Sequence, residues 1–301
     1  MKWRASGKII DQPKNNKKRW RRFFLKFAVG YGLVCLTLYF QQQRLMFFPR
    51  RQLEHTPALY DLAHEEVWIP IFGEKQKAEA IHGWWIPAHQ PDAPVMLYLH
   101  HNGINIGANV SQALQFHELG YSVFLFDYRG FGQSPGNFPN ETQVYQDAQI
   151  AWDYLTQQRE IAPQEIVIYG HSIGSAVAVD LAAQHPEAGA LIIQSALTSM
   201  HDMTKRFGIY WLFPVDLLLT QRFESIAKIR SVRMPVLVLV GTADIQIPVS
   251  MGERLHEAAP EFKQLVVIQG GGHDNHMAPQ YQQEVKRMLP RYEQDLAERC
   301  A

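Results

Sequence analysis

A serine attacks a carbonyl carbon only when a base removes its proton as it attacks. The pentapeptide Gly170-His171-Ser172-Ile173-Gly174 offers a serine in the setting this requires. The apolar run Ile166-Val167-Ile168-Tyr169 before it reads as a buried strand, and Ala176-Val177-Ala178-Val179 after it as an apolar helix. On such a strand-to-helix turn the backbone is strained and the hydroxyl stands out above the sheet. Side chains at the flanking positions would collide with neighbouring elements, which accounts for Gly170 and Gly174. The helix N-terminus offers unpaired N–H groups to a developing negative charge.

A serine turn of this kind needs an acid and then a histidine, in that chain order, on loops after later strands. Pro235 to Val240 is a fully apolar strand ending in Gly241-Thr242-Ala243-Asp244. Leu265 to Ile268 is another, ending in Gln269-Gly270-Gly271-Gly272-His273. We therefore expect Ser172 as nucleophile, His273 as general acid and base, and Asp244 as the acid that orients the imidazole. Taken alone, Asp244 reads as a turn or cap aspartate and His273 as a loop histidine; the serine turn joins them. Asp274 is the rival acid, but adjacency to His273 gives it poor geometry. The negative oxygen needs two donors. Ile173 N–H is one, and Asn102 N–H, after the strand Val95 to Leu99, is the other, with Gly103 as its neighbour.

These residues resemble the α/β-hydrolase superfamily, and within it the membrane-anchored, ABHD-like serine hydrolases grouped with serine aminopeptidase-like domains. The segments carrying the resemblance are Leu99 to Gly107, Phe126-Asp127-Tyr128-Arg129-Gly130-Phe131-Gly132-Gln133-Ser134-Pro135-Gly136, the serine turn, and the Asp244 and His273 loops. The match runs from about Leu45 to the C-terminus. The family usually has His-Gly-Asn where this chain has His100-His101-Asn102, so a side chain stands beside the expected oxyanion site. Either the backbone there keeps a negative φ or the site is reshaped.

Ahead of this region lie Lys2, Arg4, Lys8, Lys14, Lys17, Lys18, Arg19, Arg21 and Arg22, opposed only by Asp11. Net charge over the 301 residues is zero, and no aromatic stacking platform accompanies the basic run, so no nucleic-acid partner is expected. Phe23 to Phe40 follows, about 27 Å as a helix against roughly 30 Å of hydrocarbon. We expect a basic cytoplasmic segment over 1–22, a transmembrane anchor over 23–42 with the bilayer as partner, and a catalytic domain over 45–301. Arg44, Arg50 and Arg51 beyond the span are outnumbered, which places the catalytic domain outside the cytoplasm. Gln41-Gln42-Gln43-Arg44 is a poor cleavage site, so the anchor is expected to be retained. Cys35 and Cys300, the two cysteines, provide no nucleophile at this site and no zinc set.

Alternation of apolar strands with helices predicts an α/β-hydrolase fold with a mostly parallel, twisted sheet of about eight strands. Glu66 to Phe72 and Ala78 to Pro87 read as an opening antiparallel pair. Helices are expected over Ile104 to Leu119, Thr142 to Gln158, Ser172 to Gln184, Val249 to Ala258 and Pro279 to Glu298. A small helical lid over 197–232, rich in Leu and aromatic residues, interrupts the pattern and suits an apolar substrate, a bilayer, or simple packing on the core. Asp127 and Arg129 read as buried charge pairing rather than catalysis, and Ser195 as structural. His100, His171, His273 and His276 follow the motif spacing, and no carboxylate set completes a metal sphere, so neither metal nor cofactor is expected.

The resulting expectation is a membrane-anchored serine hydrolase cleaving an acyl ester or thioester of a lipid-like or acylated substrate. The alternatives are a serine aminopeptidase-like peptidase and a catalytically silent scaffold on the same fold, the latter motivated by His101.

Overall fold

Val95–Leu99, Ser122–Phe126 and Ala190–Gln194 are buried along their whole length, as apolar runs must be when a sheet is covered on both faces. In the computed structural model, which describes residues 16–71, 79–206 and 208–274, they belong to one eight-stranded sheet. Its strands are β1 Glu65–Ile71, β2 Glu79–Ile86, β3 Val95–Leu99, β4 Ser122–Phe126, β5 Ile166–His171, β6 Ala190–Gln194, β7 Val236–Gly241 and β8 Lys263–Ile268. Their order is β1-β2-β4-β3-β5-β6-β7-β8. β2 pairs antiparallel with β1 and β4, and the remaining pairs are parallel. This is the α/β-hydrolase sheet expected from the sequence.

The helices are α1 Asn16–Met46, α2 Val110–Glu118, α3 Glu141–Asp153, α4 Ile173–Gln184, α5 Met200–Thr204, α6 Val215–Leu218, α7 Ser225–Lys228 and α8 Val249–Ala258. Side chains alternate across each strand, so the sheet feeds two cores. Leu97, Phe124, Ile168 and Val238 join one with Ala178 and Leu255, while Met96, Val123, Val167 and Leu237 join the other with Ala113 and Phe116.

The chain departs from the expected elements at several points. α2 starts six residues later than expected. Asn105 accepts Gly107 N–H at 3.0 Å and donates to the Gln52 carbonyl at 2.6 Å, holding residues before the helix as a turn. Between β6 and β7 the chain does follow expectation, forming a small helical insertion of short helices, α5 to α7, with a 3-10 turn at Tyr210–Leu212. The segment between β1 and β2, Phe207, the basic residues before Asn16, His276, Cys300 and the helix expected over Pro279 to Glu298 lie outside the described residues.

α1 is longer than the expected anchor, and its Lys17–Met46 stretch has the length and composition to cross a membrane. Its C-terminal half also packs on the lid. Tyr31 OH donates to the Leu212 carbonyl at 2.7 Å, and its ring stacks on Phe213. Gln42 donates to the Leu218 carbonyl at 3.1 Å and accepts Thr220 and Gln221 N–H at 2.8 and 3.2 Å.

Candidate active site

The strand order reverses between β3 and β5, because β4 lies on one side of β3 and β5 on the other. In an open parallel sheet the crevice beyond the strand ends at such a point is where ligands bind. Asn102 follows β3 and Ser172 follows β5, so both border that crevice.

Ser172 has φ 56° and ψ −120°, a left-handed strain for a residue with a side chain, and α4 starts at Ile173. The flanking glycines are required by close approach. A Cβ on Gly170 would come within 2.4 Å of the Gly174 carbonyl oxygen, and one on Gly174 within 2.2 Å of the Leu99 carbonyl oxygen. β3, β5 and α4 thus meet backbone to backbone beneath the serine.

Asp244 and His273 come together on loops that are themselves joined. Ala243 N–H donates to the Gly271 carbonyl at 2.7 Å, and Gly270 N–H to Thr242 Oγ1 at 2.8 Å. Asp244 Oδ2 lies 2.9 Å from His273 Nδ1, while Oδ1 accepts Gln246 and Ile247 N–H at 2.8 Å each. Burial alone would raise the Asp244 carboxyl. The His273 imidazole, Ile247 N–H and Ser195 hydroxyl outweigh burial and hold it below the usual carboxylate range. Asp274 Oδ1 lies instead 3.8 Å from His101 Nε2.

Ser195 was read from the sequence as structural. It follows β6 with φ 46°, and it is one of the groups that lower the Asp244 carboxyl. Its place at a strand end beside β7 was the available signal.

Ser172, Ile173, Asn102, Gly103 and His273 border one cavity of about 810 Å³. Its walls include Phe47, Phe48, Phe138, Leu197, Met200 and Ile247, so the chain leaving α1 and the start of the lid both contribute. Asn102 ties that chain to the β3 loop. Its side-chain amide donates to the Met46 carbonyl, and its Oδ1 accepts Phe48 and Gly103 N–H at 3.0 and 2.9 Å. Among the described non-glycine residues a positive φ occurs at Asp61, Glu160, Ser172, Ser195 and Phe223, not at His101. Of the two arrangements the sequence left open at His101, the backbone adopts the first; the left-handed residue of this loop is Gly103, with φ 81°.

The Asp127 and Arg129 charges do not pair with each other. Arg129 Nε binds Asp147 at 2.6 Å and its Nη1 binds Glu79 at 2.8 Å. Asp127 accepts Ile106 N–H at 3.0 Å and faces His100 Nε2 at 3.6 Å. Full burial pushes the Asp127 carboxyl up to about 8 and the His100 imidazole down to about 3, so at neutral pH this contact is chiefly between uncharged groups. Together these contacts brace the loops after β3 and β4.

A serine on a strained turn and a carboxylate-bound imidazole thus share one cavity, whose walls are largely apolar with Arg44 and Arg50 among them. Residues 90–223 match the family model described as serine aminopeptidase, S33. Over 243 residues the chain is 36% identical to the uncharacterised protein Rv2307c of Mycobacterium tuberculosis, covering 80% of this chain and 84% of that one. It is 33% identical over 199 residues to alpha/beta hydrolase domain-containing protein 17C of Mus musculus, covering 64% of this chain and 59% of that protein. The chain thus spans less than two thirds of that mouse relative. The solved Pyrococcus furiosus esterase Pf2001 matches with a TM-score of 0.65 at 20% identity, covering 82% of this chain and 98% of the esterase. At that identity the likeness is one of fold.

Proposed function

This chain belongs to the α/β-hydrolase superfamily, with ABHD-like relatives, and from that premise we propose a membrane-anchored serine hydrolase that cleaves acyl esters or thioesters. Ser172 Oγ attacks the acyl carbon while His273 takes its proton, and the Ile173 and Asn102 N–H groups receive the negative oxygen. Collapse expels the alcohol or thiol with the proton from His273. Water, deprotonated by the same imidazole, then releases the acid and restores Ser172. Asp244 holds the imidazole in the required tautomer. No cofactor takes part.

The observation that carries this reading is the strained Ser172 sharing one cavity with a His273 that is bonded to Asp244. The apolar walls favour an acyl chain. Among the described residues lining the cavity none is acidic, whereas a peptidase acting at a free amino terminus needs an anion for the ammonium group. These walls support a lipid-like or acylated substrate, with Arg44 and Arg50 also bordering the cavity.

The anchor reading rests on α1 and on the lid beside it. Ile209, Trp211 and Leu217 are 60%, 70% and 79% exposed, next to the lid residues that grip Tyr31 and Gln42. Apolar side chains at that level of the helix suit the outer leaflet, with the N-terminus cytoplasmic and the catalytic domain on the opposite side. Cysteine accessibility on either side of α1 tests the topology.

A fluorophosphonate probe tests the chemistry, because it reacts only with an activated serine. The full chain is expected to label, and Ser172→Ala to lose both label and ester turnover, the latter on the order of a million-fold. An unlabelled wild-type chain would favour the silent scaffold.

A further inference from the structure

His101, His171 and Asp274 are far apart along the chain, yet their ligand-type atoms all lie within 4.8 Å of one another. His101 follows β3, His171 ends β5 and precedes Ser172, and Asp274 follows His273. The rings of His101 and His171 meet edge to face with centroids 4.6 Å apart.

The hydrogen bonds select one tautomer of each ring in its neutral form. His101 Nδ1 lies 2.9 Å from the Asn102 carbonyl oxygen, and His171 Nε2 lies 3.0 Å from the His273 carbonyl oxygen. A carbonyl only accepts, so each of these nitrogens is the N–H donor. In the neutral rings the lone pairs then fall on His101 Nε2 and His171 Nδ1. His101 Nε2 faces Asp274 Oδ1 at 3.8 Å, so in the neutral ring a lone pair meets a carboxylate, an arrangement that a cation between them favours. Imidazoles whose other nitrogen donates to a carbonyl are the usual metal-binding form, since the outer bond sets tautomer and ring orientation.

We propose that His101, His171 and Asp274 form a binding site for a divalent transition-metal ion of the zinc type, beside the candidate triad. Two imidazoles and a carboxylate are a borderline-soft donor set, suited to zinc rather than magnesium or calcium. Metal–ligand bonds of about 2.0–2.2 Å require the ligand atoms to close up. The Asp274 side chain is 56% exposed and free to swing inward. The sequence reading weighed His100, His171, His273 and His276 without a completing carboxylate; folding instead brings His101 and Asp274 to His171.

The site touches the catalytic elements at two points. His101 neighbours Asn102, and His171 holds the carbonyl of His273, whose ring centroid is 5.0 Å from that of His171. A bound dication ties these loops together and opposes the positive charge His273 acquires during turnover. Zinc is therefore inhibitory, a consequence that rests on the proposed hydrolase activity; binding itself does not.

The test uses the untagged full chain in detergent micelles, in a Ser172→Ala background so that binding is read apart from chemistry. Cobalt(II) is the optical probe and zinc its competitor. One cobalt per chain with visible d–d bands, displaced by zinc, is expected. His101→Gln and Asp274→Asn should each weaken zinc binding at least about ten-fold. Both positions are partly exposed, and the metal-free melting temperature checks folding. Zinc affinity unchanged in both variants, or no saturable 1:1 binding in the parent, overturns the site. Zinc bound at these residues without slowing an active wild-type chain overturns inhibition alone. A chain that binds zinc yet never turns over an ester refutes the hydrolase reading and leaves the site standing.

Discussion

Asp244 divides its carboxylate between two tasks: Oδ2 meets Nδ1 of His273 at 2.9 Å, and Oδ1 closes the turn at Gln246 and Ile247. The cap aspartate and the orienting acid are the same group. The two tasks separate by substitution. Asp244→Asn keeps an oxygen to cap the turn but stabilises the wrong tautomer of His273, so turnover should fall about 10⁴-fold with little change in melting temperature. Asp244→Ala removes both, and should lower turnover and melting temperature together. Equal stability losses in the two variants would refute this division.

A second test addresses the junction between the Asp244 and His273 loops. A Cβ on Gly241 would approach the Gly271 carbonyl oxygen to 2.3 Å and the Gly272 carbonyl oxygen to 2.9 Å, both backbone. Gly241→Ala must therefore push the His273 loop outward. Overpacking of this kind costs about 1–3 kcal/mol, and an ångström of displacement at the imidazole costs about a hundred-fold in rate. Ester kinetics and thermal melts on the same preparation check it; a variant with wild-type kcat would mean that the loop position does not matter.

What could be read along the chain was whatever depends on neighbours in sequence. Ile166–Tyr169, Gly170 to Gly174 and the following alanines and valines encode strand, turn and helix within one short stretch. The strand ends carrying Asp244 and His273 were legible for the same reason. Hidden were partnerships made by side chains across long separations, which leave no period. Gln42 to residues 218–221, Arg129 to Asp147 and His101 to Asp274 are of this kind. The late start of α2 was hidden because Asn105 bonds to Gln52, a residue no local rule connects to it.

The grip of α1 on the lid gives a third prediction. Gln42 is 7% exposed, and the N–H of buried Gln221 depends on it. Gln42→Ala leaves that donor unmet, at a cost of about 1–3 kcal/mol that falls on the lid rather than the sheet. Limited proteolysis should cut first within 209–221, and KM should rise more for long-chain than for short-chain esters. Cleavage at an unchanged rate would detach the lid from α1 as a mechanical unit.

Arg129 and Asp147 form a charged pair away from the serine. Asp147 is fully buried and accepts both Arg129 N–H and Nε–H, at 2.8 and 2.6 Å. Asp147→Ala leaves the largely enclosed guanidinium with Glu79 and Gln146 but empties its Nε–H and the Arg129 N–H of their partner, and removing one member of a buried pair costs up to about 3–5 kcal/mol. The melting temperature should fall steeply, while any folded fraction still labels with fluorophosphonate. Loss of label in a fully folded variant would move this pair into the active site.

The lid's other fastening is acid-sensitive. Burial alone would raise the Asp202 carboxyl, but Lys205, Thr198 and Arg254 outweigh burial and bring it down to about 2. A carboxyl depressed by folding adds stability that is complete above its unfolded value near 4 and drains away as pH falls toward 2. Arg254 belongs to α8 and is half exposed, so this fastening is modest and weakened by salt. Asp202→Asn should melt below wild type at pH 6, and the gap should narrow steadily as pH drops from about 5 to 2. A gap that stays constant over that interval would show that Asp202 holds the lid as a neutral hydrogen-bonding group and not by its charge.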